Sequence, residues 1–181
     1  MGLFSKLFKK NMSVGVTSEN SSTSNPECLK LFELKKYMDM LLSENQYIPK
    51  SGYRNRLLEN KKTIEYFAVL DNSGMLKSFC DSNKIDVFAV ETTLNRYRNF
   101  EAKVDAHNEE YIQRAMKSEK TYLDNILHDV DPKIKLDDDQ RRVILTDEDY
   151  CLVIAGAGAG KTTTVAAKVK YLVEKKDIDP S

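Results

Sequence analysis

The sequence predicts a mainly α-helical amino-terminal module followed by the beginning of an α/β domain. Apolar residues recur at helical spacing through residues 27–130. Near the end of the chain, the short β-prone run Tyr150–Ile154 precedes a loop of small residues and a further helical pattern. Because only 7 of the 181 residues are glycine, and that loop contains several of them, the rest of the chain is expected to be mostly regular structure.

Composition limits the classes of protein that this chain can represent. A length of 181 residues suits one ordinary domain or two small ones. The 28 Lys and Arg residues balance 28 Asp and Glu residues, which excludes a basic surface over the whole molecule but allows a local basic stripe. No apolar stretch approaches the length of a membrane span.

Cysteine and histidine form no pattern that is typical of a metal site. Cys28, Cys80 and Cys151 lie far apart and match no zinc or disulfide spacing, which favours buried, reduced thiols in a cytoplasmic protein. His107 and His128 have no partner at metal-ligand spacing and are expected on the surface or in the core.

Residues 1–26 are predicted to be a flexible, basic and polar terminus and linker. The segment Met1–Lys10 is apolar and basic but lacks the long apolar stretch of a signal peptide. It is either a frayed amphipathic terminus or a short helix that touches a membrane or a partner. Residues 11–26 are rich in Ser, Thr and Asn and cannot bury enough surface to order themselves.

The helical accessory module, residues 27–130, begins with a helix whose apolar face continues to Ser43. Residues 48–51 break that pattern, and Ser51 is a plausible N-cap for the next helix. That helix would run from Tyr53 to Leu70 and end in a turn at residues 71–74.

Three further helices are expected before Pro132. A short one covers Met75 to Cys80, and Asp86 can cap the next one. From Tyr97 to about Leu127 the pattern predicts one long helix with an exposed charged face. Its mixed charges favour a solvated surface, while a surface that contacts DNA or protein remains the alternative.

A new helix is predicted to begin after Asp137, with Gln140 at its third position. This spacing predicts a capping box, in which each side chain bonds the other residue's backbone. The following run Tyr150–Ile154 is predicted to be a buried strand. The last helix would bury an apolar face formed by Val165, Val169, Leu172 and Val173.

The loop between this strand and the last helix has the chemistry of a phosphate-binding loop. Its residues, Ala155, Gly156, Ala157, Gly158, Ala159 and Gly160, are small enough for backbone N–H groups to approach a triphosphate. The helix N-terminus favours an anion at the same place. Lys161 supplies a charge for the β- and γ-phosphates, and the Thr162 hydroxyl can ligate Mg²⁺. The general pattern G-x-x-x-x-G-K-[ST] has glycine where this chain has Ala155.

The chain carries Leu136-Asp137-x-x-Gln140-Arg141, followed by Tyr150–Ile154 and then Ala155–Thr162. This order of motifs resembles the opening of a UvrD/Rep-type superfamily 1 DNA helicase. Those enzymes begin their first motor domain with a glutamine motif and continue into a loop of the form A-G-x-G-x-G-K-T, so Ala155 agrees with the family. The resemblance covers residues 136–181, roughly a quarter of the chain. The preceding helices resemble, less sharply, the amino-terminal extensions of helicase-IV-like members.

The resemblance implies that residues 136–181 begin a RecA-like α/β P-loop NTPase domain, truncated here, with ATP and Mg²⁺ as cofactors. It implies that Gln140 hydrogen-bonds adenine, and that Lys161 and Thr162 serve the phosphates and the metal. Many relatives carry an arginine next to the base where this chain has Thr163. The family translocates 3′ to 5′ on single-stranded DNA, so single-stranded or duplex DNA is the expected partner of the complete motor.

The chain is expected to be the amino-terminal part of a longer helicase and not to hydrolyse ATP or unwind DNA alone, since a motor also needs an acidic metal-binding strand end and a second lobe. Two alternatives remain open: another P-loop NTPase, such as a nucleotide kinase or a transporter-type ATPase, and a helical interaction protein with a non-catalytic nucleotide site.

A single parallel strand has no neighbours to pair with, so residues 150–181 are expected to be poorly anchored unless the helices cover them.

Overall fold

The structure is a computed structural model that describes residues 25–179. Most of residues 1–26, including the basic segment Met1–Lys10, lies outside the described residues. Within residues 25–179 the backbone is mainly helical and forms no strand. No helix in this range combines the length and apolar character needed to cross a bilayer.

Nine helices of the described range follow one another, with one 3-10 turn. They are α1 (Pro26–Ser43), the turn Lys50–Gly52, α2 (Arg54–Glu59), α3 (Lys61–Asn72), α4 (Leu76–Asn83), α5 (Val87–Arg98), α6 (Phe100–Ser118), α7 (Lys120–Asn125), α8 (Asp138–Leu145) and α9 (Lys161–Lys176). The predicted helical character of the amino-terminal region is therefore confirmed.

Two of the predicted helices are wrong in their extent. The helix predicted from Tyr53 to Leu70 breaks at Asn60, whose side chain donates a hydrogen bond to the carbonyl of Arg56 at 2.9 Å. The helix predicted from Tyr97 to Leu127 breaks at Asn99, whose amide donates to the carbonyl of Asn95 at 2.9 Å, and again before α7. An asparagine amide that bonds backbone one turn back competes with the helix ladder, and neither Gly nor Pro marks the break.

Two of the three predicted caps are present. The Asp86 carboxylate accepts from the backbone N–H of Phe88 at the start of α5. Asp137 and Gln140 form the predicted capping box at the start of α8. Ser51 is not a cap, since α2 begins after Tyr53 and has no side-chain cap.

The described chain forms two compact units. The first contains the residues up to Ser43 and residues 51–101, and the second contains residues 44–50 and the chain from 102 onward. In the first unit α1 packs against α3 and α5 around fully buried side chains. These are Leu31, Leu34, Met38, Phe67, Cys80, Val90 and Leu94. The predicted division into an accessory module, residues 27–130, and the start of a motor domain, residues 136–181, stays a prediction.

The second unit is built around one apolar cluster. It joins the end of α6, α7 and the following turn to α8 and α9. Its buried members are Ala115, Leu123, Ile126, Leu127, Leu136, Ile144, Leu145, Ala167 and Tyr171. Burying a Leu or Ile side chain fully contributes about 1.5–3 kcal/mol, so this cluster holds α8 and α9 on the helices that precede them.

The face of α9 that packs inward differs from the predicted one. Val165 and Val169 are 62% and 54% exposed, whereas Ala167 and Tyr171 are buried in the apolar cluster. Helical spacing shows which apolar residues share a face of the helix, and the elements packed against the helix decide which face is buried. Residues 150–181 are expected to be poorly anchored unless the helices cover them, and the apolar cluster provides such cover for α9.

The predicted buried strand Tyr150–Ile154 is wrong in this structure. These residues form neither helix nor strand, and Tyr150, Leu152 and Ile154 are 94%, 86% and 89% exposed. A strand requires a neighbour whose backbone completes its hydrogen-bond ladder, and the described residues provide none.

Truncation of Leu123 in the apolar cluster should destabilise the protein, whereas truncation of Leu152 should not. Leu123 is 1% exposed, so Leu123→Ala is expected to lower the free energy of unfolding by about 2–5 kcal/mol through lost burial and a cavity. Leu152→Ala removes the same atoms from an exposed position and should change the free energy of unfolding by less than about 0.5 kcal/mol. Urea denaturation of the 181-residue chain, followed by circular dichroism, measures both. Equal effects would contradict the assigned core.

Candidate functional site

Residues 155–160, called the glycine loop below, connect the exposed run Tyr150–Ile154 to α9. Gly158 and Gly160 have φ angles of 76° and 72°, in the left-handed region that favours glycine. Gly160 is also the N-cap residue of α9, which begins at Lys161. The loop therefore turns sharply and delivers the chain directly into a helix.

The N-terminus of α9 faces this loop without a side-chain cap. The first backbone N–H groups of a helix have no acceptor within the helix, and the helix dipole adds partial positive charge there. The Lys161 ammonium lies beside them and donates to the carbonyls of Ala155 at 2.9 Å and Gly156 at 2.7 Å. The ammonium and the partial positive charge of the helix end therefore both lie at the glycine loop.

Gln140 connects the start of α8 to the glycine loop. Its side-chain oxygen accepts from the backbone N–H of Asp137 at 3.1 Å, which completes the capping box. Its side-chain nitrogen donates to the carbonyl of Ala159 at 3.3 Å. One amide thus fixes the beginning of one helix and the loop before the other.

Gly160 has a second reason to be glycine. A Cβ atom at this position would lie 2.6 Å from the side-chain nitrogen of Gln140. The left-handed backbone favours glycine at this position, and an added Cβ would displace the flexible end of the Gln140 side chain. Gly156 differs, because a Cβ there would meet nothing within 4 Å and its φ is not positive.

A cleft of about 390 Å³ lies between the start of α8 and the glycine loop. Its volume falls within the ~300–1,000 Å³ range of small-molecule sites. Both polar and apolar side chains line it. They are Asp137, Asp139, Gln140, Val143, Cys151, Leu152, Val153, Ile154, Ala155, Ala159, Lys161 and Thr164.

Four residues predicted for a nucleotide site line this cleft together: Gln140, Ala155, Ala159 and Lys161. Gly156, Ala157, Gly158 and Gly160 complete the same loop, and Thr162 and Thr163 open α9 after it. Thr162 is exposed, so its hydroxyl can reach a ligand from the helix end. No group of three or more His, Cys, Asp or Glu residues that could hold a metal occurs in the described range.

Lys168 is a structural cation that the sequence analysis missed. Its ammonium donates to the carbonyls of Ile144 at 2.7 Å and Thr146 at 2.6 Å, at the C-terminus of α8. The last carbonyls of a helix lack intrahelical donors and favour a cation. Burial lowers the pKa of Lys168, with further smaller charge effects from its neighbours. The available signal was a lysine between Ala167 and Val169, inside an otherwise apolar stretch.

The three cysteines differ in environment. Cys28 and Cys80 are buried, as predicted. Cys151 is exposed and lines the cleft, in contrast to the predicted burial. Its exposure has the same cause as that of the whole run Tyr150–Ile154, which has no packed neighbour.

The comparisons with known proteins concern the same part of the chain. The family model of the UvrD/REP helicase N-terminal domain matches residues 136–181. Over 46 residues the chain is 46% identical to a "Probable DNA helicase II homolog" of Mycoplasma capricolum subsp. capricolum. That stretch is 25% of this chain and 6% of the Mycoplasma protein. No solved structure matches the chain.

A glycine loop that opens a helix, with a lysine at the junction, belongs to a class of sites suited to anions. Residues 136–181, which surround this site, match the UvrD/REP helicase N-terminal domain, and the resemblance predicted from their motifs is confirmed.

Gly160→Ala should destabilise the second unit more than Gly156→Ala. Gly160→Ala places a Cβ on a left-handed backbone, which lowers the free energy of unfolding by about 1–2 kcal/mol. The added Cβ also presses against the side chain of Gln140. Gly156→Ala meets open space and should change the free energy of unfolding by less than about 0.5 kcal/mol. Thermal denaturation of both variants measures the difference. A Gly160→Ala protein as stable as Gly156→Ala would show that the loop does not need this geometry.

Proposed function

We propose that residues 136–181 form the start of the ATP-binding domain of an ATP-dependent DNA helicase or translocase. The observation that carries this proposal is the junction of the glycine loop with α9, where Gly158 and Gly160 have left-handed backbone angles and the Lys161 ammonium bonds the loop. The ammonium and the uncapped N-terminus of α9 both offer positive charge to a polyphosphate. The helicase sequence match of the same residues supports this choice of anion.

In this proposal Lys161 neutralises the β- and γ-phosphates and Thr162 ligates Mg²⁺, which supplies further charge stabilisation when bound. The Lys161 ammonium has three N–H donors, and the carbonyls of Ala155 and Gly156 accept two hydrogen bonds from it. A bond from the ammonium to a phosphate oxygen joins two opposite charges, whereas the present bonds have neutral carbonyl acceptors, so a polyphosphate can replace these carbonyls.

Gln140 can cap α8 and bind adenine at the same time. A glutamine amide has two N–H donors and two acceptor lone pairs. The bonds with Asp137 and Ala159 account for one of each. The second donor and the second lone pair match the N7 acceptor and the N6 donor on the edge of adenine. The capping role and the proposed base contact therefore do not exclude each other.

We propose, by resemblance to the family, that the whole protein translocates on single-stranded DNA in the 3′-to-5′ direction. The chain spans 6% of the length of the curated relative that it matches, so hydrolysis and DNA contact belong to the proposal for the complete motor. A cytoplasmic location remains part of the same proposal.

A second candidate is a non-enzymatic helical interaction protein whose phosphate loop is a relic. The observation in its favour is that the functional groups of Lys161 and Gln140 already bond protein carbonyls. Nucleotide titration separates the two candidates. Absence of Mg-ATP binding by the 181-residue chain would favour the second.

Lys161→Ala should weaken Mg-ATP binding by about tenfold or more, since charged hydrogen bonds contribute about 1.5–3 kcal/mol each. Isothermal titration of the 181-residue chain measures the affinity. Lys133→Ala removes the same charge from an exposed position outside the cleft and serves as the matched control. Unchanged affinity in Lys161→Ala, or amide resonances of Gly158, Gly160 and Lys161 that do not move on adding Mg-ATP, would contradict the proposal.

A further inference from the structure

Two arginines directly after Gln140 attach α8 to the helices that precede the helicase-matched segment. The Arg142 guanidinium donates to both carboxylate oxygens of Glu109 on α6, at 2.9 and 2.6 Å. The Arg141 guanidinium donates to Asp124 on α7 at 2.6 Å and to the carbonyl of Leu136 at 3.1 Å. Only 15% of the Arg141 side chain is exposed. All of these residues lie within the second compact unit.

In both ion pairs the acidic and the basic partner lie on opposite sides of residue 136 in the sequence. The acidic partners Glu109 and Asp124 precede residue 136, and the basic partners follow it. Two ion pairs of α9 repeat the arrangement. They are Lys170 with Asp129 at 2.7 Å and Lys175 with Glu119 at 3.1 Å. In these four pairs an acidic side chain of residues 109–129 therefore meets a basic side chain of α8 or α9.

The Glu109–Arg142 pair has the geometry of a specific contact. Two parallel N–H donors meet two carboxylate oxygens, which fixes direction as well as distance. The hydrogen bonds from Arg142, followed by that from Gln113, lower the pKa of Glu109 to about 2. The carboxylate therefore keeps its charge throughout the physiological range of pH.

The length of α8 explains why such contacts matter. It has 8 residues, and isolated helices shorter than about 12 residues are marginal in water. Its orientation must come from its neighbours. The buried residues Ile144 and Leu145 hold its C-terminal end, while Gln140 lies near its N-terminus. Consecutive residues of a helix point about 100° apart, so Arg141 and Arg142 reach two different helices and oppose rotation of α8 about its axis.

We propose that Glu109 and Asp124 are positioning residues that hold α8 in the rotation at which Gln140 reaches the glycine loop. The helices before residue 136 would then form part of the nucleotide site, by fixing the group that contacts the base. This inference rests on the proposed function, because it assigns the role of Gln140 to adenine. Neither carboxylate touches the nucleotide in this arrangement.

The test compares two ligands, Mg-ATP and Mg-tripolyphosphate, by isothermal titration of the 181-residue chain. The double variant Glu109→Gln, Asp124→Asn should bind Mg-ATP about threefold to tenfold more weakly, because α8 loses both contacts that oppose its rotation. Its affinity for tripolyphosphate, which has no base, should stay unchanged. Each single variant should show a smaller loss of the same kind and replaces the double variant if that protein unfolds.

Three controls make the outcome specific. Glu110→Gln removes the same charge from the neighbouring residue, whose partner Arg114 lies on the same helix at 3.9 Å, and should leave both affinities unchanged. In a Gln140→Ala background the double variant should cause no further loss for Mg-ATP, because its effect passes through Gln140. The swap Glu109→Arg with Arg142→Glu should recover the affinity that Glu109→Arg loses.

Equal losses for the two ligands, or a loss that persists in the Gln140→Ala background, would overturn the positioning role. Unchanged Mg-ATP affinity in the double variant would overturn it as well. If the unaltered chain binds tripolyphosphate but gains nothing from adenine, the role of Gln140 fails and the positioning role with it. If it binds neither ligand, the proposed function itself fails, and the two failures are therefore distinguishable.

Discussion

The candidate site depends on the packing of α8 against α9. Both helices lie in the helicase-matched segment, and the apolar cluster around Ile144, Leu145, Ala167 and Tyr171 joins them. Lys168 adds a cation from α9 to the last carbonyls of α8. Because α8 is so short, its N-terminus reaches the glycine loop only while this packing holds its other end. The hydrogen bond from Gln140 to Ala159 is a consequence of that arrangement.

Adhesion and orientation come from different interactions in the second unit. A fully buried aliphatic side chain such as Leu123 contributes about 1.5–3 kcal/mol, whereas a partly exposed ion pair contributes about 0–1 kcal/mol. The apolar cluster therefore holds the helices together, and it would tolerate some rotation because burial has no direction. Guanidinium–carboxylate pairs are directional. The pairs of Arg141 and Arg142 thus select one orientation from those that burial allows.

Sequence reasoning succeeded where the signal is local. The caps at Asp86 and Asp137 depend on residues two or three positions apart, and both are present. It failed where partners are distant in sequence. The run Tyr150–Ile154 has strand propensity, but a strand exists only beside another strand, and none is described. Likewise Arg142 and Glu109 are 33 positions apart, and an alternation of acids and bases does not reveal which of them meet.

The hydrogen bonds within the glycine loop bear on which ligands it can accept. Lys161 and Gln140 bond the carbonyls of Ala155, Gly156 and Ala159, so the loop keeps its shape through its own contacts. A ligand then has less chain to order on binding, which lowers the entropy cost. It must, however, offer acceptors better than a peptide carbonyl for the exchange to be favourable. A neutral ligand gains little from such an exchange, whereas a polyphosphate gains charge-assisted bonds to the ammonium and to the start of α9. At the proposed site, the internal hydrogen bonds of the loop therefore favour highly charged anions over neutral ligands, in addition to any preference that the shape of the cleft gives.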